Sequence, residues 1–171
     1  SARHGLAGCL LGATLALLVF APPVSARDTG AVRVVKRYMD AMRSMDRLAV
    51  DALIAPDAVF EYPYSRSGST EPGAGRRYVG KEAIMRDYVG RAFDILLRID
   101  WTEPVFTPSA DGRTVFVEAR GDMVLVNDVP YRNQYVIRFD VEGGRIRHMA
   151  EYMNTVTAGQ ALEQAGLLPK P

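Results

Sequence analysis

Glu151 stands in the run Met149-Ala150-Glu151-Tyr152-Met153, two residues from a methionine on either side. In an extended chain those three side chains share one face. A carboxylate held between two thioethers on an inward face loses solvation. That disfavours its charged form and carries it toward the pH range in which proton transfer is efficient. Upstream, Phe116, Glu118, Arg120, Asp122, Val124 and Val126 alternate with Val115, Val117, Ala119, Met123 and Leu125, so three successive positions of one strand face are charged. Either that face is solvated and carries an acid–base–acid ladder, or it turns inward and Arg120 and Asp122 orient and acidify around Glu151. Asn133 lies among Tyr131, Tyr135, Ile137 and Phe139 on one face of the next strand. An amide in that company needs hydrogen-bond partners, so it belongs either to a structural network or to a ligand pocket. His148 has the parity opposite to Glu151 and reads as a surface or core-filling residue before a catalytic one.

Carboxylate proton transfer is the chemistry these residues leave open. The chain holds two His and one Cys, and without the N-terminal segment described below only His148 remains. That is no zinc or iron ligand set, and it offers no thiolate. A phosphate-cradling glycine signature and a Gly-x-Ser-x-Gly nucleophile elbow are both missing. No metal and no cofactor are therefore expected. Lys+Arg and Asp+Glu stand at 21 and 20, which gives no electrostatic footprint for nucleic acid or for an anionic membrane surface.

The elements that must position these residues follow from periodicity. Arg3 and His4 precede an uncharged run from Gly5 to Phe20, and Pro22-Pro23 and the small-residue triplet Val24-Ser25-Ala26 come after it. This predicts a signal peptide over 1–26, cleaved after Ala26, and a secreted or periplasmic domain over 27–171. A buried helix is the alternative, and an uncleaved copy would tether the domain to a membrane. Val32, Val35, Met39 and Met42 form the apolar stripe of a first helix, with Asp28 or Thr29 as its cap. A second helix is expected from Asp46 to Ile54 and a strand from Asp57 to Tyr62. Pro63 to Arg77 reads as a mobile loop, and Gly80 opens a third helix in which Ile84, Tyr88 and Ala92 share a face. Beyond Leu96, turn signals at Ala110-Asp111-Gly112, Asn127-Asp128 and Glu142-Gly143-Gly144 predict three hairpins linking four antiparallel strands. Glu163 to Leu168 forms a short, helical tail. Helices first and a long sheet second is an α+β order, with a strongly curved antiparallel sheet wrapped around the helices as a cone-shaped barrel.

Tyr131-x-Asn133, Gly144-Arg145-Ile146 and Glu151-Tyr152-Met153-Asn154 resemble the closing strands of the SnoaL-like polyketide-cyclase superfamily, within the nuclear transport factor 2-like and ketosteroid isomerase-like folds. The similarity is closest to the phenazine-biosynthesis A/B proteins, and it extends over Asp46-Arg47-Leu48, Val79-Gly80-Lys81-Glu82, Phe116-Val117-Glu118 and Ala165-Gly166-Leu167. The resemblance implies a homodimeric cone that binds one small apolar or heteroaromatic molecule and performs acid/base isomerisation or cyclisation, with the acidic residue at Glu151. A likeness to limonene-epoxide hydrolase implies roles for Arg120, Asp122 and Glu151 in epoxide opening, with Tyr62 and Tyr64 near the attacking water. Taken together, Glu151, Asp122 and Arg120 are the catalytic candidates. Tyr62, Tyr64, Asn133, Tyr135, Met149 and Met153 are the substrate-binding ones. The competing reading is a non-catalytic exported protein that holds a hydrophobic metabolite or lipid in the same pocket.

Overall fold

The computed structural model describes residues 30–168; the segment read as a signal peptide and the Asp28 or Thr29 cap lie outside the described residues. Helix α1 spans Gly30–Arg43 and buries Val32, Val35, Met39 and Met42 as its stripe requires, with Ala31, Val34, Tyr38 and Ala41 widening the buried face. Helix α2, Arg47–Leu53, starts where the Asp46 carboxylate accepts the Ala49 N–H, which satisfies one of the free amides of the first turn. Strand β1, Ile54–Tyr62, begins three residues earlier than expected. Pro56 ends the helix but is itself compatible with extended backbone. The pairing of β1 shifts register between Ile54 and Val59, around the proline that has no N–H to give.

Strand β2 is Arg76–Val79, so the irregular segment stops at Gly75 and Arg77 belongs to a strand. The ends of that segment pinch together: a Cβ at Gly75 would come within 2.2 Å of the Tyr62 carbonyl oxygen, a space only glycine leaves. Gly80, at φ 85°, then opens a continuous helical stretch made of α3 (Lys81–Ala83), a π-helical segment (Ile84–Gly90) and α4 (Arg91–Ile95). The remaining strands are β3 (Leu96–Arg98), β4 (Trp101–Pro108), β5 (Thr114–Leu125), β6 (Val129–Glu142) and β7 (Arg145–Met153). The three hairpins fall at the expected turns, and the unexpected strand is the three-residue β3, which shares β5 with β4. Helix α5, Thr155–Gln164, lies earlier than the expected tail, because the Asn154 side chain caps the Val156 and Thr157 amides. Gly166, at φ 73°, follows its end.

The fold is α+β, with a curled sheet of seven strands: six follow the order β2-β1-β7-β6-β5-β3, and the seventh, β4, pairs with β5 beside β3. Two features correct the sequence-based expectation. The sheet is mixed, since β1 runs parallel to β7, and it is unclosed, since β2 and β3 are its ends. The parallel pair has a physical cause: β7 ends the C-terminal meander with a free edge, and the long crossover from β1 through the helices supplies the chain length that parallel pairing needs. The core fills the concave side, where Val35, Phe60, Ile84, Val115, Phe139 and Ile146 are buried. Among the described residues, no helix is long and apolar enough to cross a membrane.

Candidate functional site

Four elements point aromatic residues into one cavity of about 820 Å³ on the concave side of the sheet. Strand β1 contributes Tyr62, β2 contributes Tyr78, the π-helical segment contributes Tyr88, and β6 contributes Tyr131 and Tyr135. Met42, Trp101, Met123, Leu125 and Leu162 complete much of the apolar wall. The rings of Tyr62, Tyr78 and Tyr88 pack on one another at centroid distances of 5.6–6.4 Å, so each restricts the others. The Tyr135 ring packs diagonally over Gly121 of the neighbouring strand: a Cβ there would come within 2.7 Å of the ring, and glycine leaves the ring its place.

Glu151 is the carboxylate inside this wall. Its Oε2 accepts a hydrogen bond from the Tyr88 hydroxyl at 2.7 Å. Burial pushes its carboxyl up to about 7, with the Tyr88 hydrogen bond pulling weakly the other way. A group poised near neutrality can both take and return a proton. The phenols of Tyr62, Tyr88 and Tyr135 are held well above their ordinary range, first by burial and then by Glu151 for Tyr62 and Tyr88 and by Tyr131 and Glu151 for Tyr135, so they stay protonated as donors. The Tyr131 and Tyr135 hydroxyls interact with each other, and each also has a sulfur in reach: Tyr131 lies 3.4 Å from Met153 Sδ and Tyr135 3.9 Å from Met123 Sδ. Thioether sulfur is a weak acceptor, so a ligand oxygen would be the better partner for either donor.

The structure distributes the sequence-predicted residues unequally. Tyr62, Tyr135, Met153 and Glu151 line the cavity, and Tyr64 stands at its rim, exposed, with its ring 5.4 Å from that of Tyr152. Met149 is buried behind Glu151, its sulfur 3.9 Å from the Tyr88 hydroxyl. Asn133 belongs to a network and not to the wall. Its carbonyl accepts the Gln134 and Asn154 amides, and its NH2 donates to the Asn154 carbonyl and to the Tyr131 hydroxyl, both at 3.0 Å. It reaches a ligand only through the Tyr131 it orients.

Arg120 and Asp122 are corrected outright: both lie on the convex face. Val115, Val117, Ala119, Met123 and Leu125 take the core side of β5, so strict alternation turns Glu118, Arg120 and Asp122 outward. Asp122 is held between Arg98 at 2.9 Å and Arg132 at 2.8 Å, the latter its partner across the ladder. His148 also faces outward, with Glu61 at 2.8 Å and Asp140 at 3.3 Å. Among the described residues no group of three or more His, Cys, Asp or Glu is placed to share a metal ion.

Tyr88 is the residue sequence reasoning passed over. The Ile84, Tyr88, Ala92 spacing marked its helix face, but nothing local marked its hydroxyl as the partner of a carboxylate 63 residues away. The π-helical segment that carries it is a wider turn than the α-helix, of a kind found often at functional sites.

Comparison with known proteins agrees with this geometry. A family model for the SnoaL-like domain matches residues 35–149. The uncharacterized protein YesE of Bacillus subtilis (strain 168) is 30% identical over 132 residues, covering 77% of this chain and 86% of that protein. A crystal structure from Bacillus subtilis, provisionally assigned as an isomerase, superposes with a TM-score of 0.67 at 28% identity, covering 78% of this chain and 93% of the other. An LEH-like epoxide hydrolase from M. tuberculosis superposes with a TM-score of 0.60 at 19% identity over 82% of this chain and 95% of its own. A phenazine biosynthesis-related protein from Pseudomonas aeruginosa gives 0.59 at 18% identity, over 82% and 92%. These last two likenesses carry the fold alone. With the helices packed in a curled, unclosed sheet and the family model matched over most of the described residues, the chain belongs to the SnoaL-like family and has the NTF2-like cone fold.

Proposed function

We propose that the protein is a cofactor-free acid/base enzyme acting on a small, largely apolar molecule, with Glu151 as the proton-transfer group. The observation that carries this reading is the half-buried Glu151 carboxylate facing the cavity, hydrogen-bonded to Tyr88 and pushed up to about 7. In the isomerase or cyclase version, the Glu151 carboxylate removes a proton from a carbon next to a carbonyl. The C–H electron pair moves into the enolate, and a phenol donor such as Tyr62, Tyr131 or Tyr135 stabilises the developing oxyanion. Glu151, now the acid, returns the proton at another carbon, or the enolate carbon forms a bond to a second carbonyl carbon, whose C=O π pair moves to its oxygen and takes the proton from Glu151. Preorganised donors in a largely apolar cavity favour this charge development more than donors in water would. The epoxide-hydrolase version is the weaker one, because Asp122 lies on the other face of the sheet and cannot protonate the opening oxygen; a cavity tyrosine would have to do so.

Cyclic ketones incubated with the protein in deuterated water, alongside a panel of epoxides, test the reading. Deuterium is expected to enter the α-carbon of a bound ketone, followed by NMR, and to stop entering in Glu151→Gln while the ketone still binds. A panel member that binds without exchange or conversion supports the second reading, a carrier of a hydrophobic metabolite, which the largely apolar wall also suits. Export and homodimerisation extend the proposal. They rest on the Gly5–Phe20 sequence and on the resemblance, and are checked by N-terminal sequencing of the exported fraction and by light scattering.

A further inference from the structure

Three arginines from separate elements stand at the cavity: Arg66 from the 63–75 segment, Arg76 from β2 and Arg91 from α4. Local geometry fixes each. Register pairs Arg76 with Tyr62 on the face that also carries Tyr78, while Arg77 and Val79 take the opposite face; the Arg76 guanidinium lies 3.5 Å from the Tyr78 hydroxyl. Arg91 follows Tyr88 by three residues and lines the same wall. Arg66 rests against Gly159 of α5, where an added Cβ would meet its guanidinium at 3.5 Å.

Their surroundings differ from those of the arginines on the convex face. There Arg98 and Arg132 share Asp122, Arg138 holds Asp140, and Arg147 pairs with Glu142. At the cavity rim the neighbouring carboxylates are Asp87, which Arg86 already occupies with two hydrogen bonds of 2.9 and 2.8 Å, and Asp94, which lines the same recess as Arg76 and Arg91 without an ion pair to either; Glu151 lies deeper, bonded to Tyr88. Among the described residues, Arg66, Arg76 and Arg91 have no carboxylate within 4.0 Å. Cations left uncompensated beside a low-dielectric cavity concentrate anions there, and a guanidinium fork matches a carboxylate in bidentate geometry.

We infer that the substrate is an amphiphilic anion: a cyclic or aromatic body seated among the tyrosines, and a carboxylate or similar oxyanion held at the mouth by Arg66, Arg76 and Arg91. This inference rests on the acid/base reading above and narrows its substrate class. The two ends of such a molecule meet different physics. Its body exchanges water for aromatic wall, while its charge stays at the exposed rim, where it keeps part of its hydration and is spared the cost of burial.

Calorimetric titration with 2-naphthoate and with its neutral counterpart 2-naphthamide tests the inference. In low-salt buffer naphthoate is expected to bind about tenfold more tightly or better, the gap narrowing as salt screens the rim charges. In the double variant Arg76→Gln, Arg91→Gln, the preference should fall to about twofold or less while naphthamide affinity holds. Both side chains are exposed, so the fold should survive, and circular dichroism checks that it does. Equal affinity for the two probes in the unaltered protein overturns the anion inference and leaves the acid/base reading standing. A preference that persists in the double variant overturns the assignment to these arginines. Failure of both probes to bind counts against this inference and against the aromatic cavity as a binding site, whereas loss of deuterium exchange alone counts only against catalysis.

Discussion

The two faces of one sheet treat the same functional group in opposite ways. On the convex face Asp122 lies between Arg98 and Arg132, so its charge is matched at contact distance and remains open to water. On the concave face Glu151 has no cation in contact among the described residues; a neutral phenol is its partner, and burial pushes it up to about 7. The lesson is that a carboxylate acquires acid/base character from the absence of a counter-charge as much as from burial. A further cluster, Glu61, His148 and Asp140, reinforces the point, because it too lies on the convex side, where Arg77 stands 3.8 Å from Glu61 and Arg138 2.9 Å from Asp140.

This contrast predicts its own tests. The largest effect is expected for Glu151→Gln, which should lower turnover by about 10²–10⁴-fold, the range for loss of a positioned general base. Asp122→Asn should leave turnover within about twofold, since it touches no cavity atom. Stability should respond in the opposite sense to activity at the concave carboxylate. The folded-state value near 7 stands above the ordinary 4.5, so the folded protein holds its proton longer than the unfolded chain does. Stability is therefore greatest below about pH 4.5 with respect to this group and falls as pH rises through about 7. Chemical denaturation at pH 8 should find Glu151→Gln more stable than the parent by up to about 3 kcal/mol, and at pH 4 the two should converge.

Asn133→Ala comes next, with an expected loss of about 1–3 kcal/mol in the same assay, because it removes a buried side chain that accepts the half-buried Gln134 and Asn154 amides and holds the Tyr131 hydroxyl. Asp122→Asn should be smallest in stability, within about 1 kcal/mol, as expected for solvent-accessible ion pairs. A larger loss there would mean that the convex pairs hold the sheet together and would blur the contrast between the faces.

How much of this was legible in the sequence depends on the distance over which each feature is encoded. Strand alternation is local, so the burial of Val115, Val117, Ile137 and Phe139 followed from it, as did the place of Glu151 between two methionines. The hairpins followed from their glycines and asparagine. Which face of β5 its charges occupy was also written in the alternation, since a face of Val, Ala, Met and Leu outcompetes a charged one for the core; treating Arg120 and Asp122 as site residues gave resemblance more weight than that competition. The rest is non-local. The parallel β1–β7 pair, the meeting of Tyr88 with Glu151, and the gathering of Arg66, Arg76 and Arg91 join segments whose local sequences carry no mark of one another. The π-helical turn that aims Tyr88 likewise has no recognisable local signature.

The central claim is that Glu151 is a neutral-pH proton carrier tuned by burial and by Tyr88. An NMR titration of carbon-labelled glutamate side chains, with Glu151 assigned by its absence in Glu151→Gln, measures this without a substrate. The account predicts a midpoint near 7 for Glu151 and a further upward displacement in Tyr88→Phe, because the lost hydrogen bond favoured the charged form. A midpoint in the ordinary carboxylate range near 4.5, unchanged by Tyr88→Phe, would contradict it.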